Sequence, residues 1–195
     1  MSLEANNGIW VYTVDVESDE PIMLINKHIG YDPIEGQGVD GSLFQEELLR
    51  LDAMGKKRIQ VWINSVGGVV MDGYNIYNAI LKSKTKVDTY NVGIAASIAA
   101  VIFQAGRKRV MADYSLLMYH NPYGGDSVEL KKMRESIAVM ISGRTGTALE
   151  DVLKLMDKTT WITASEALLT GFADEIEASN ESNQKHGNGA KAMWD

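Results

Sequence analysis

Short apolar runs alternate with amphipathic stretches along most of the chain. Residues 22–25, 59–63, 87–92, 110–111 and 116–119 are mainly apolar and only two to six residues long, which predicts strands. Between them apolar side chains return at helical spacing. Phe44, Leu48 and Leu51 do so ahead of Gly55, and Val70, Tyr74, Tyr77 and Leu81 share one face of residues 69–81. Residues 95–104 read as a buried helix, 128–141 as a long helix and 149–156 as another. A further helix starts at Thr163, where Glu166 three positions on completes a capping-box pattern. Residues 31–41, with Gly36, Gly38 and Gly41, read as a polar loop, and 172–176 as a closing strand. Strands alternating with helices predict an α/β fold of βαβ units around a mainly parallel sheet. In such sheets functional loops lie beyond the carboxyl ends of the strands.

Composition narrows the picture. A chain of 195 residues, 45% of them hydrophobic, can bury one sizeable core, so residues 1–178 are expected to form a single domain. Residues 179–195, rich in Asn, Ser, Gly and Lys, have no periodicity and are expected to be a disordered tail. A net charge of -7 argues against nucleic acid as a partner, and the basic triplet Arg107-Lys108-Arg109 reads as an exposed turn. With no cysteine there is no disulfide framework and no thiolate metal site, which fits a cytoplasmic setting. The longest apolar run, between Asn91 and Gln104, falls short of the about 20 residues of a membrane span, and no secretory signal is expected. Neither a metal nor a cofactor is called for.

Candidate chemistry centres on Ser97, whose neighbours from Gly93 to Phe103 are all small or apolar. A lone hydroxyl there must bond locally or react. Of the three histidines, His186 lies in the polar tail and His28 in an exposed-looking stretch, which leaves His120, at the end of an apolar strand and before an Asn-Pro step, as the base. Ser97 opens a helix, so the Ile98 N–H can face a developing oxyanion. A second donor is available from Gly68, in the turn Asn64-Ser65-Val66-Gly67-Gly68 after another strand, because glycine backbone approaches substrate without a clash. Nucleophile, base and amide turn, each at a strand end, point to a serine hydrolase.

These residues resemble the proteolytic subunit of the Clp protease. The likeness is carried by Ile63 to Gly68, by Gly93-Ile94-Ala95-Ala96-Ser97, by Met118-Tyr119-His120-Asn121-Pro122, and by Trp161 to Ala167 with Gly171 to Ile176. It extends from about residue 22 to 176 and is nearest to the shorter members encoded by phages and prophages. The resemblance implies the Clp/crotonase-type fold of repeated βαβ units with a protruding helical handle. It also implies a Ser-His-Asp endopeptidase acting on polypeptides inside a homo-oligomeric ring, typically heptameric, served by an AAA+ ATPase unfoldase, and a place in phage head maturation.

Four departures matter. Thr159 stands where the family carries its triad aspartate, so Asp157, two residues earlier, becomes the expected third member. The segment between Gly125 and Gly146 is shorter than the family's handle, which places the stacking of two rings in doubt. Gln60 and Lys82 replace aromatic side chains of the ATPase-docking cleft, although Trp62 remains. Val66 replaces a proline in the glycine turn. Two alternatives stay open: a non-catalytic assembly protein with this fold, and a crotonase-type acyl-CoA enzyme. A Ser-Lys arrangement through Lys158 is a lesser variant.

Overall fold

A computed structural model describes residues 10–179. The chain runs β1 (Thr13–Val14), β2 (Ile22–Ile25), β3 (Gly30–Asp32), β4 (Gln37–Val39), α1 (Gly41–Ala53), β5 (Arg58–Ser65), α2 (Val70–Lys82) and β6 (Lys86–Ala96). It continues through α3 (Ile98–Phe103), β7 (Arg109–Ala112), β8 (Leu116–Tyr119), α4 (Ser127–Thr145), α5 (Leu149–Asp157), β9 (Thr160–Thr163), α6 (Ala164–Leu169) and β10 (Glu175–Glu177). The expected tail beyond Ser179, with His186, lies outside the described residues.

One sheet of eight strands has the order β1-β2-β5-β6-β7-β10, with β8 against β6 and β9 against β8. The neighbours from β2 to β10 pair in parallel, as the alternation of strands and helices predicts. Strand β6 forks the sheet. Thr89 to Asn91 pair with β7, and Ile94 to Ala96 pair with β8. Asn91, buried at the fork, donates to Leu116 O at 2.9 Å, and Asn64 on β5 accepts from Ile94 N at 3.1 Å.

The fork revises two expectations. Residues 93–96 are strand, not the approach to a helix, because β8 gives them a second ladder, and the buried helix is trimmed to 98–103. Strand β9, where a loop was expected between two helices, exists because β8 offers it an antiparallel edge. The polar loop over 31–41 contains the small hairpin β3-β4. The last strand is shifted to 175–177, since Phe172 and Ala173 turn into the core instead.

The core follows the helical spacing. Phe44, Leu48 and Leu51 of α1 are buried as expected, each worth about 1.5–3 kcal/mol of transfer free energy, whereas the buried face of α2 is Ile76, Tyr77 and Ile80, with Val70 and Tyr74 partly buried and Leu81 45% exposed. Every residue of α3 is buried. Asp40 caps α1 by accepting from Ser42 N at 2.8 Å and Leu43 N at 2.9 Å, and the Thr163–Glu166 capping box is formed.

Two charged groups are taken into the interior with their partners. The Glu47 carboxylate accepts from Val11 N at 2.6 Å and from Thr13 Oγ1 at 2.7 Å, which ties β1 to α1. Buried Arg109, expected in an exposed turn, donates through Nε and Nη2 to Asp174 at 2.9 and 2.6 Å and through Nη1 to Gln104 Oε1 at 2.7 Å. Gln104 in turn donates to the Tyr119 hydroxyl at 2.8 Å. Burial opposes the Asp174 charge, but the Arg109 bonds outweigh it and hold its carboxyl below the usual range.

The helical handle is α4. Its second half is anchored through Ile137, Ala138 and Ile141, while residues 127–129, 131 and 132 are exposed. Val139, on the far face, is 59% exposed, so apolar side chains do not all turn inward there.

Candidate active site

Three strand ends meet at one place. Strand β6 ends at Ala96 and reverses at Ser97, whose φ of 57° and ψ of -127° are costly for a residue with a side chain. The turn survives because both flanks are pinned: the Ser97 N–H donates to Met118 O at 2.8 Å, and buried α3 begins at once. That bond continues the β6-β8 ladder, in which Ala96 faces Met118. The end of β8 is therefore fixed beside the turn, and His120 with it.

Ser97 Oγ and His120 Nε2 lie 2.8 Å apart. The hydroxyl makes no cap to α3, so its side-chain bond is to the imidazole instead. With the hydroxyl donating, Nε2 is the acceptor and Nδ1 carries the ring proton. His120 is half-buried, and burial lowers its pKa from the ordinary 6.5. The Tyr123 ring packs on it with centroids 5.5 Å apart, tilted by 38°. A neutral imidazole against a serine hydroxyl is the arrangement general-base activation requires.

The glycine turn closes the third side. A side chain at Gly67 (φ 98°) would place its Cβ 2.7 Å from Ala96 O, 2.8 Å from Ser97 Cβ and 3.2 Å from Ile98 N. Gly68 bridges to Ile29 through Ile29 N–H to Gly67 O at 2.9 Å and Val69 N–H to Ile29 O at 2.8 Å. Those two bonds use the backbone groups that flank Gly68 on the β2 side and leave its own N–H free of that pairing. Gly67, Gly68, Ser97 and His120 line one groove of about 650 Å³.

The third expected member is placed elsewhere. The Asp157 carboxylate accepts from Asn121 Nδ2 at 2.9 Å and from Arg134 Nη2 at 2.8 and 2.9 Å. Arg134 Nε also donates to Asn121 Oδ1 at 3.0 Å, which closes the triangle. These bonds, Asn121 first and Arg134 next, hold the Asp157 carboxyl below its usual range. Among the described residues no carboxylate bonds His120. Asp157, the expected third member, makes its bonds one residue further along, at Asn121, and to Arg134. The antiparallel ladder ends at Tyr119 opposite Thr160, so Thr159 and His120 each lie one residue beyond its last pair. Thr159 holds a left-handed φ of 52° there.

His28, set aside on sequence as exposed, is only partly so. Its ring lines the same groove, against Gly68. The signal was available, since it follows β2 by three residues and so obeys the same strand-end rule as the other site residues. Lys158 is exposed and makes no bond to Ser97. Among the described residues no group of acidic, His or Cys side chains is placed to hold a metal ion, and no helix is long and apolar enough to cross a membrane.

The family model described as Clp protease matches residues 32–180. Relatives named ATP-dependent Clp protease proteolytic subunit include a Porphyromonas gingivalis protein, 34% identical over 69% of this chain and 67% of that protein. One from Bacteroides fragilis is 34% identical over 68% of this chain and 70% of its own length. A third, from the alga Chlorella vulgaris, is 34% identical over 62% of this chain and 66% of its own.

Proposed function

The chain belongs to the Clp protease family, and from that premise we propose that it is a serine endopeptidase working through Ser97 and His120. Ser97 Oγ attacks the peptide carbonyl while His120 Nε2 takes its proton. The N–H groups of Gly68 and Ile98 hold the oxyanion, and His120 then protonates the leaving amine. Water repeats the sequence on the acyl-enzyme. The observation that carries the reading is the 2.8 Å contact of Ser97 with His120 at a strained turn lying against Gly67.

The imidazolium formed in each step has no carboxylate on its far nitrogen, so the pair acts as a dyad. Asp157 is a positioning residue that holds Asn121, and through it the backbone just after His120. Family membership also supports a homo-oligomeric ring, heptameric by resemblance, fed by an ATPase. The exposed apolar side chains of Trp161 and Leu169 suit an interface of that kind. Trp62, 37% exposed and bonded through Nε1 to Gln60, is the aromatic anchor left for a docking partner. A role in phage head maturation rests on the likeness to shorter phage-type members.

A fluorophosphonate probe is expected to label Ser97 in the assembled protein, with labelling lost in Ser97→Ala and read by intact mass. A second reading, a non-catalytic assembly protein, is favoured by the missing carboxylate partner of His120. It predicts ordered rings that the probe leaves unmodified.

A further inference from the structure

The groove of about 650 Å³ beside Ser97 has mostly apolar walls, Val66, Val69, Met71 and Leu130 among them. Two polar side chains on it take no part in the chemistry above: His28 on the wall of the glycine turn and Glu129 on the wall formed by α4. No Lys or Arg lines it.

The state of His28 follows from its contacts. Its Nδ1 faces Gly30 O at 3.4 Å. A carbonyl oxygen only accepts, so Nδ1 is the nitrogen that carries the proton. The opposite edge of the ring, with Nε2, lies against Gly68, where a Cβ would fall 2.8 Å from Nε2. With Nδ1 donating, Nε2 is the ring nitrogen left to accept, beside Gly68 in the groove lining. Glu129 is exposed in the first turn of α4, and no described residue forms an ion pair with it.

Two groups able to accept thus line one largely apolar groove whose lining includes no Lys or Arg. The complementary group is a donor-rich cation on an aliphatic stem, which is the side chain of Lys or Arg. An acidic side chain would meet Glu129 as a like charge and His28 without a hydrogen. We propose that His28 and Glu129 select polypeptides that carry a basic side chain next to the scissile bond. The proposal rests on the reading of Ser97 as the nucleophile and adds the substrate class to it.

The test uses the assembled full-length chain and fluorogenic peptides that differ only in Lys, Ala or Glu on either side of the scissile bond. Lys is expected to exceed Glu in kcat/KM by about 10- to 100-fold at one of these positions, mostly through KM. His28→Leu and Glu129→Gln are each expected to shrink that ratio by about 3- to 10-fold, while His28→Gln, whose amide oxygen still accepts, keeps more of it. Because the readout is a ratio within one preparation, a general loss of folding or reactivity cancels. Equal or reversed preference in the unsubstituted protein, or a ratio unmoved by both substitutions, overturns the proposal. If the fluorophosphonate probe labels Ser97 in that same preparation, only the specificity proposal has failed. If it does not, and no peptide is cleaved, the nucleophile reading falls and the proposal falls with it.

Discussion

His120 has two sides, and they are built differently. Toward Ser97, contact is made by strand ends, a buried helix and a glycine turn, all fixed by ladder bonds and core packing. Toward position 159, the neighbours are surface groups: exposed Thr159, and an Asp157 whose side chain is 53% exposed and held by Asn121 and Arg134. Backbone and core place the first side to within a hydrogen bond. The second depends on polar side chains with several partners to choose from, and solvent screens an ion pair of this kind. A fold can therefore hold a nucleophile and its base rigidly while the third position changes chemistry.

The contrast can be broken hardest on the rigid side. His120→Ala removes the base and should lower peptidase kcat/KM by on the order of 10²–10³, since a site without the third member has less to lose than a full triad, with the circular dichroism spectrum unchanged. Gly67→Ala introduces a Cβ against Ala96 O and Ser97 Cβ at 2.7 and 2.8 Å, displaces the nucleophile, and should cost about 10²-fold in the same assay. The soft side should respond in the other sense. Thr159→Asp supplies a carboxylate one residue beyond the last β8–β9 pair, as His120 also is, and should raise kcat/KM by about 10-fold or more.

That substitution also has a signature in pH. Burial lowers the His120 pKa, so the imidazole of the unsubstituted protein stays neutral to below pH 6.5 and the acid limb of kcat/KM lies below that value. A carboxylate at 159 favours the imidazolium, raises the pKa and moves the limb to higher pH. Linkage has a definite sign here. Folded His120 binds a proton less tightly than the unfolded chain, so stability from this group grows as pH rises through the region below 6.5 and is lost on acidification. The smallest effect is expected for Asp157→Asn, about threefold or less in kcat/KM, because the carboxylate acts only through Asn121.

The same division governs what could be read from the sequence. Ser97, His120 and the glycine turn were legible because each follows an apolar run, and strand ends converge in a parallel sheet. The helices of Phe44 and Tyr77 were legible from spacing, and the Thr163 cap from three residues. The fork of β6 was not, since residues 93–96 become strand only through β8, a pairing with no local signature. Arg109 was misjudged for a related reason: a basic triplet looks solvated until Gln104 and Asp174, 65 residues from it in the second case, turn out to surround it. Asp157 was chosen by nearness in sequence, whereas its partner Arg134 comes from a different helix. His28 was passed over because polar neighbours hid a strand-end position.

Arg109 sits at the start of β7, beside the strand that carries the nucleophile, and its charge is neutralised only by a residue near the end of the described chain, where β10 docks on β7. Without β10 the Arg109 guanidinium would lack its counter-charge and β7 its parallel neighbour. The far end of the described chain is thus part of the interior charge balance of the sheet, and a truncation before Asp174 removes it.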